Sequence, residues 1–233
     1  MANDRRASHS EVWAVIPVKE AGLAKQRLAE ALAPRLRKDL AIAMFADVLD
    51  AATAVPEFHG IAVVTADPNV AEIARRSGAQ VWSDGAHDGH TGAVSAAARR
   101  LAATSSTMLT IPGDVPLVSR IDISRVLAVH PATPAFTIVP AWDERGSNTI
   151  VCSPADAVPL RFGPDSYFPH LAAARAAGLI PTIVRNSAIA LDIDEPSDLA
   201  RFMGRPSPTR SWRLLNENRA ELDRHSSAVL ASQ

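Results

Sequence analysis

Residues 108–117 read MLTIPGDVPL, and this stretch decides the fold prediction. Its apolar run stops at Pro112-Gly113, and the acidic residue Asp114 follows at once. A buried parallel strand has this appearance when it carries a carboxylate to the edge of a sheet. Because ligands of open α/β sheets bind outside the carboxyl ends of the strands, Asp114 is a candidate ligand for a divalent cation. Pro, Gly and Asp are also common turn formers, so the stretch by itself supports an ordinary turn equally well.

The composition limits the classes of protein to consider. Of the 233 residues, 47% are hydrophobic and 21% are charged, which favours a packed chain over global disorder. The net charge of -1 gives no electrostatic reason to expect nucleic acid or an anionic membrane as a partner. Cys152 is the only cysteine, which excludes an internal disulfide and a thiolate metal cluster. No apolar run approaches the roughly 20 residues that span a bilayer, and no signal-peptide pattern is present, so we predict a cytoplasmic protein.

Strand and helix patterns alternate along the first 130 residues. Strands are predicted at 12–18, 61–65, 80–82 and 108–111, and helices at 36–55, 69–77, 93–103 and 121–129. This order is typical of a parallel, doubly wound α/β sheet. Beyond it we predict strands at 135–139, 149–152, 180–184 and 188–191, a helix ending near 177 and a last helix beginning at Pro196.

Charged residues follow the first and the last of these strands. Lys19, Lys25 and Arg27 come after the first strand and could form an anion pocket, although such a cluster is often only a solvated face. Asp192 and Asp194 follow the strand predicted at 188–191, where acidic residues also serve as helix caps. Two acidic clusters opposite a cationic loop favour a nucleotide–metal site, because Mg²⁺ prefers few carboxylates together with phosphate oxygens.

A glycine-rich loop at 83–92 precedes the alanine-rich helix. Glycines at a helix N-terminus let backbone N–H groups approach a phosphate, but this spacing is neither a P-loop nor a dinucleotide fingerprint. His87 and His90 lack a third partner in the sequence, so we interpret them as loop histidines rather than metal ligands.

Several short motifs together resemble one enzyme family. They are AVIPVK at 14–19 with AKQRL at 24–28, PGDVPL at 112–117, GSN at 146–148, FGPDS at 162–166 and DIDEPSDL at 192–199. In this order they resemble the phospholactate guanylyltransferase family of coenzyme F-420 biosynthesis. The FGPDS stretch is the most discriminating of them, whereas the last motif is shared with other nucleotidyltransferases.

The resemblance implies both a fold and a reaction. The fold is α/β and Rossmann-like, of the nucleotide-diphospho-sugar transferase or glycosyltransferase-A type, with a mixed sheet flanked by helices. The reaction transfers GMP from GTP to a small phosphorylated carboxylic acid, with Mg²⁺ as cofactor, and releases pyrophosphate. Within the family the acid is 2-phospholactate, phosphoenolpyruvate or 3-phosphoglycerate. The resemblance also implies a homodimer, although the sequence itself does not define the oligomeric state.

The resemblance divides the chain into three segments. It covers about residues 12–203, the nucleotidyltransferase domain; residues 1–11 are predicted to be a disordered N-terminus. Residues 204–233 are predicted to be a linker and a C-terminal helical tail. We interpret the amphipathic helix predicted at 210–231 as an appendage that packs on a partner subunit.

The family's functional residues carry over to matching positions. Asp114 and Asp194 would hold Mg²⁺, with Asp192 beside them, and Ser147, Gly163 and Ser166 would bind the acceptor. Lys19, Lys25 and Arg27 would have the catalytic role of neutralising the triphosphate. The nucleotide-binding residues implied are Pro17, Lys19, Lys25, Thr65, Gly89 and Thr91.

The chain departs from the family at two positions. It has Gly89-His90-Thr91 where relatives usually carry Gly-Leu-Asn, which puts the base preference in doubt, and Ser147 where threonine is commoner. Two alternatives therefore stay open. One is a related nucleotidyltransferase with another nucleotide or acceptor, such as a cytidylyltransferase. The other is a non-catalytic nucleotide-binding module. The sequence does not name the acceptor, because pocket shape decides between such similar acids.

Overall fold

The computed structural model describes residues 11–23, 25–220 and 222, and within them it places seven strands in one sheet. The strands are β1 Val12–Pro17, β2 Phe58–Val64, β3 Gln80–Trp82, β4 Thr107–Thr110, β5 Ala135–Pro140, β6 Ser147–Ser153 and β7 Thr182–Ile183. The helices are α1 Pro34–Thr53, α2 Pro68–Arg76, α3 Gly89–Ala102, α4 Arg120–Ala128, α5 Tyr167–Ala176, α6 Pro196–Met203 and α7 Arg210–Glu217. Two short 3₁₀ turns, Ala21–Leu23 and Gln26–Leu28, lie between β1 and α1.

The sheet is mixed, as predicted, with the strand order β3-β2-β1-β4-β6-β5-β7. Strands β1 to β4 are mutually parallel, which confirms the doubly wound pattern for the first half of the chain. Strand β6 runs antiparallel to both β4 and β5. Because β6 runs opposite to β4, β6 begins where β4 ends. The first residues of β6 therefore lie at the same edge of the sheet as the ends of β1 and β4.

Helices cover both faces of the sheet. Neighbouring residues of β1 point to opposite sides, with Val15 packing toward α3 and α5 and Ile16 packing toward α1, α2 and α4. The continuous apolar runs of β1 and β4 are therefore buried on both faces, which explains why they do not alternate with polar residues. No helix of the described residues is long and apolar enough to cross a membrane.

The strand predicted at 188–191 is wrong. The Asn186 side chain accepts hydrogen bonds from the backbone N–H groups of Ala188 and Ile189, at 2.9 and 3.0 Å, and this turn uses the amides that a strand would need. Ile189 is nevertheless fully buried in the core, so its apolar character signalled burial rather than strand pairing. The strand predicted at 180–184 shrinks to β7.

The tail helix packs on its own chain. Asp47 in α1 accepts hydrogen bonds from the backbone N–H of Arg210 at 2.8 Å and from the hydroxyl of Ser211 at 2.6 Å, which fixes the start of α7. Leu215 is fully buried beside Leu40. The helix Arg210–Glu217 is thus part of the folded domain rather than an appendage, whereas its packing on a partner subunit stays a prediction. Residues 221 and 223–231 of the predicted helix lie outside the described residues, as do residues 1–10.

Candidate active site

A cavity of about 920 Å³ opens at the sheet edge where β1 and β4 end and β6 begins. Nearly all of the residues predicted for the site line this cavity: Pro17, Lys19, Lys25, Arg27, Gly89, Thr91, Asp114, Ser147, Gly163, Ser166, Asp192 and Asp194. The location agrees with the rule that ligands of open α/β sheets bind at the carboxyl ends of the parallel strands.

Thr65 is the predicted site residue that does not line the cavity. It is buried, and its hydroxyl oxygen accepts a hydrogen bond from the backbone N–H of Asp67 at 3.1 Å. Asp67 in turn caps α2 and accepts from the backbone N–H of Ala21 at 2.9 Å. This geometry does not fit a nucleotide-binding role for Thr65, which instead supports the carboxylate that holds the loop after β1.

Lys25 lies between two of the predicted metal ligands. Its ammonium nitrogen is 2.6 Å from Asp114 Oδ2 and 2.6 Å from Asp194 Oδ1, and only 7% of its side chain is exposed. Burial opposes the charged form, but the two carboxylates outweigh it and raise the pKa of Lys25 above its ordinary value. Burial also pushes the pKa of Asp194 upward, yet the charge and hydrogen bond of Lys25 hold it below its ordinary value. Lys25 adopts the left-handed conformation with φ of 57°, a strained geometry for a non-glycine residue.

The Lys25 ammonium alone does not neutralise all of the carboxylates around it. Burial, followed by the charge of Asp114, raises the pKa of Asp192 to about 7, although Asn148 donates a hydrogen bond to it at 3.1 Å. Asp114 Oδ1 is buried and has no hydrogen-bond partner in the described part of the chain. We call Lys25, Asp114, Asp192 and Asp194 the charged side of the cavity.

The carboxylates of the charged side could hold a magnesium ion only together with further ligands. In the chain as described, no group of three His, Cys, Asp or Glu side chains is arranged to hold a metal by itself. Asp114 and Asp194 do converge on one point, which the Lys25 ammonium fills. Carboxylate oxygens are hard ligands, and Mg²⁺ is usually held by one or two of them while substrate phosphates complete its octahedron.

The other predicted cations lie close to these carboxylates. Arg27 reaches Glu195 at 3.5 Å through an exposed ion pair, and the charges of Arg27 and Lys19 both help to lower the pKa of Asp194. An exposed ion pair of this kind contributes little to stability. These cations are thus available to face an anionic ligand in the cavity.

The opposite side of the cavity is built from uncharged groups. Ser147 Oγ lies 2.9 Å from His170 Nδ1 and accepts a hydrogen bond from the hydroxyl of Ser166 at 3.3 Å. The backbone N–H of Arg161 donates to His170 Nε2 at 2.9 Å. Burial, reinforced by the nearby His90, lowers the pKa of His170 to about 4. We call Ser147, Ser166 and His170 the neutral side.

Open space adjoins the neutral side at Gly163. A Cβ added to Gly163 would meet no atom within 4 Å, so a ligand can approach the backbone there. The preceding residue, Phe162, is held by Thr91, whose hydroxyl accepts from the Phe162 backbone N–H at 3.0 Å and donates to its carbonyl at 3.3 Å.

His90 lines the cavity. Its ring stacks on Phe162, with the ring centroids 4.1 Å apart and an angle of 15° between the planes. Burial lowers the pKa of His90 to about 4, despite the opposing charge of Asp114. The prediction that His90 is a loop histidine is wrong, because His90 lies in the first turn of α3. His87 does lie in an exposed turn, as predicted.

Comparison with known proteins identifies the family. Residues 12–231 match the family described as guanylyl transferase CofC like. This chain belongs to that family. The match extends beyond residue 203, where the sequence resemblance ended, and includes α7.

Relatives of the CofC-like chain carry two activities in their names. A phosphoenolpyruvate guanylyltransferase of Roseiflexus castenholzii is 34% identical over 207 residues, which cover 89% of this chain and 95% of the relative. A 3-phospho-D-glycerate guanylyltransferase of Colwellia psychrerythraea is 33% identical, covering 79% of this chain and 88% of the relative. The CofC-like chain is accordingly a nucleotidyltransferase, as the sequence motifs predicted.

Solved structures agree on the fold. A protein from Desulfovibrio desulfuricans G20, described as a nucleotide-diphospho-sugar transferase, gives a TM-score of 0.72 at 19% identity, covering 93% of this chain and 98% of that one. A 4-diphosphocytidyl-2C-methyl-D-erythritol synthase gives 0.57 at 12% identity, covering 83% and 97%. The predicted α/β fold of nucleotide-diphospho-sugar transferase type is thereby confirmed for the CofC-like chain.

Sequence reasoning missed two residues of the CofC-like site. Asn148 belongs to the GSN motif at 146–148, which does not indicate a role for its side chain; this side chain donates to Asp192 and to the carbonyl of Ile189. His170 follows Ser166 by one helical turn, and that spacing is the only signal in the sequence that could have linked it to the predicted acceptor site.

Proposed function

We propose that this chain transfers GMP from GTP to a small phosphorylated carboxylic acid and releases pyrophosphate. The candidate acids are phosphoenolpyruvate, 3-phospho-D-glycerate and 2-phospho-L-lactate, and the product would serve coenzyme F-420 biosynthesis. The observation that carries the proposal is the joining of a charged side and a neutral side in one cavity. The proposal is also supported by the names of the guanylyltransferase relatives.

The charged side is proposed to bind the triphosphate of GTP. Asp114 and Asp194 would hold Mg²⁺, with Asp192 beside them, while Lys19, Lys25 and Arg27 would face the phosphate oxygens. The bound ion would supply neutralisation of the charge that develops on the transferring phosphoryl group. The buried and unpartnered Oδ1 of Asp114 and the raised pKa of Asp192 support this role, because both indicate an unmet demand for positive charge.

The neutral side is proposed to bind the acceptor acid. The hydroxyl of Ser147 and the open backbone at Gly163 offer hydrogen-bond donors to a carboxylate or phosphate, while Ser166, the third proposed acceptor residue, donates its own proton to Ser147 Oγ. A buried neutral histidine behind these hydroxyls brings no charge of its own. The acceptor would therefore be recognised by placed donors rather than by a second cluster of cations.

The reaction needs no general base from the protein. A phosphate monoester has its second pKa near 6, so the acceptor phosphate is already an anion at neutral pH. One of its oxygens would attack the α-phosphorus of GTP, and the bond from that phosphorus to the bridging oxygen of pyrophosphate would break. What the protein must contribute is in-line positioning of the two anions and neutralisation of their charge.

The test is a panel of substrates. The purified chain is mixed with Mg²⁺, one of GTP, ATP, CTP or UTP, and one of the three acids, and pyrophosphate release is followed. We expect release with GTP and at least one acid. Release with CTP instead would favour the alternative nucleotidyltransferase, and no release with any pair would overturn the proposal. The homodimer and the cytoplasmic location stay predictions; light scattering of the purified chain would test the former.

A further inference from the structure

His170 stands behind the cavity rather than in it. This residue of α5 is 1% exposed and does not line the cavity, whereas Ser147, which shares a hydrogen bond with it, and Ser166 do. A ligand in the cavity therefore meets the serine hydroxyls, and His170 can act on the ligand only through them.

The hydrogen bonds of His170 determine where its proton is. A backbone N–H can only donate, so the contact from Arg161 requires that His170 Nε2 carry no proton. In a neutral imidazole the other nitrogen, Nδ1, then carries the proton. Because Nδ1 lies 2.9 Å from Ser147 Oγ, the imidazole donates to the serine and not the reverse.

This donation limits what the Ser147 hydroxyl can do. Ser147 Oγ accepts from His170 and from Ser166, which occupies both of its acceptor positions. Its own proton must point in a third direction. Among the described residues no other group shares a hydrogen bond with this hydroxyl, and Ser147 lines the cavity.

We infer that His170 is a positioning residue for the acceptor: it directs the O–H of Ser147 into the cavity, toward an anionic oxygen of the phosphorylated acid. This inference rests on the proposed acceptor role of the neutral side. A rotating serine hydroxyl would present either a lone pair or a proton, whereas the fixed hydroxyl presents only a proton and so favours an anion. The low pKa of His170 agrees with a ring that stays neutral near pH 7.

Two amide variants separate the two nitrogens of His170. The amide of His170→Asn can place its N–H₂ near the former Nδ1, which keeps a donor for Ser147. The amide of His170→Gln reaches further and can place its oxygen near the former Nε2, which keeps the acceptor for Arg161. We expect the KM for the acid to stay within about threefold of wild type in His170→Asn and to rise about 10-fold in His170→Gln, with kcat and the KM for GTP little changed in both.

A double-variant cycle tests the route through Ser147. Ser147→Ala should raise the KM for the acid at least as much as His170→Gln does, and adding His170→Gln to Ser147→Ala should raise it no further. The variant His87→Asn, at an exposed histidine that does not line the cavity, serves as the matched control and should behave as wild type. Thermal unfolding of every variant checks that it folds.

Several outcomes would overturn the inference. They are equal KM values in His170→Asn and His170→Gln, or an effect of His170→Gln that persists undiminished on the Ser147→Ala background. Nitrogen NMR of the wild-type imidazoles, with His170→Asn used for assignment, must show a protonated Nδ1 and a bare Nε2; the opposite tautomer also overturns it. If wild type turns over none of the acids, the proposed function fails together with the inference. If wild type does turn over an acid but one of these contradicting results is found, only the inference fails.

Discussion

Both sides of the cavity are proposed to bind anions, and they are built by opposite means. On the charged side, two partly exposed carboxylates, Asp114 and Asp194, flank a single ammonium, and the pKa values of Lys25 and Asp192 are both displaced upward. On the neutral side each polar atom has a partner, and burial keeps His170 uncharged. Strand β6 connects the two sides, because its consecutive residues Ser147 and Asn148 hydrogen-bond to His170 and to Asp192, respectively.

This difference in charge indicates that only the charged side depends on its ligand for stability. The carboxylates of the charged side repel one another, and Lys25 neutralises this charge only in part. A metal ion bound with a triphosphate should therefore stabilise this side. The neutral side is already satisfied in the free protein and offers a donor in a fixed direction, so binding there should change it little. The charged side therefore should govern the rate of transfer, and the neutral side should govern the choice of acceptor.

The largest effect should come from Asp114→Asn. Loss of this carboxylate removes a proposed metal ligand, and since a metal contributes several kcal/mol to such a reaction, kcat should fall by about 10³-fold. The fold should survive, because Asp194 still pairs with Lys25 and the repulsion on Asp192 decreases. Pyrophosphate release and thermal unfolding measure the two effects. Asp39→Asn, on α1 outside the cavity, is the control; wild-type turnover by Asp114→Asn would show that the Pro-Gly-Asp corner is only a turn.

The next effect should come from Lys25→Met, which leaves the carboxylates without their shared cation. We expect activity to fall by about 100-fold and the free energy of unfolding at pH 8 to fall by about 1–3 kcal/mol, less than for a fully buried pair because 46% of the Asp194 side chain is exposed. Added Mg²⁺ should then raise the melting temperature of Lys25→Met more than that of wild type, since the ion replaces the missing charge. Lys38→Met, at an exposed lysine on α1, is the control. An equal rise in melting temperature with Mg²⁺ in Lys25→Met and in wild type would contradict the comparison between the two sides of the cavity.

Acid should weaken the neutral side through His170. Its folded pKa of about 4 lies below the unfolded value of 6.5, so its contribution to stability is complete above pH 6.5 and is lost as the pH falls toward 4. Between pH 7.5 and pH 5 the wild type should lose about 2 kcal/mol of unfolding free energy that His170→Asn does not lose. Urea unfolding at the two pH values measures this difference. His90, His130 and Asp192 are present in both proteins, so their titration largely cancels, and equal losses would mean that His170 is not held neutral.

The sequence predicted well what is local in the chain. Long apolar runs identified β1, β2 and β4, and the Pro-Gly break placed Asp114 at the sheet edge. These features depend on a few neighbouring residues and on the general geometry of parallel sheets, so they could be inferred without tertiary information.

The sequence could not predict contacts between distant segments. Lys25 meets Asp114 and Asp194, which are 89 and 169 residues away along the chain, and His170 meets Ser147 across 23 residues. The packing of α7 on Asp47 likewise depends on a side chain whose partners, 163 and 164 residues away, no periodicity reveals. Thr65, at the end of a predicted strand, was predicted to bind nucleotide, but its hydroxyl accepts a hydrogen bond from the backbone N–H of Asp67 and it does not line the cavity. A position at a strand end therefore does not by itself predict a site residue.

The smallest expected effect, from Thr91→Val, decides to which side Thr91 belongs. The sequence predicted a nucleotide-binding residue, but its hydroxyl bonds both backbone groups of Phe162, next to the open backbone at Gly163. If Thr91 supports the neutral side, Thr91→Val should raise the KM for the acid about fivefold and leave the KM for GTP unchanged. Thr91→Ser keeps the hydroxyl and should restore wild-type values. A rise in the KM for GTP alone would instead assign Thr91 to the nucleotide, since the acceptor side would then tolerate the loss of both hydrogen bonds.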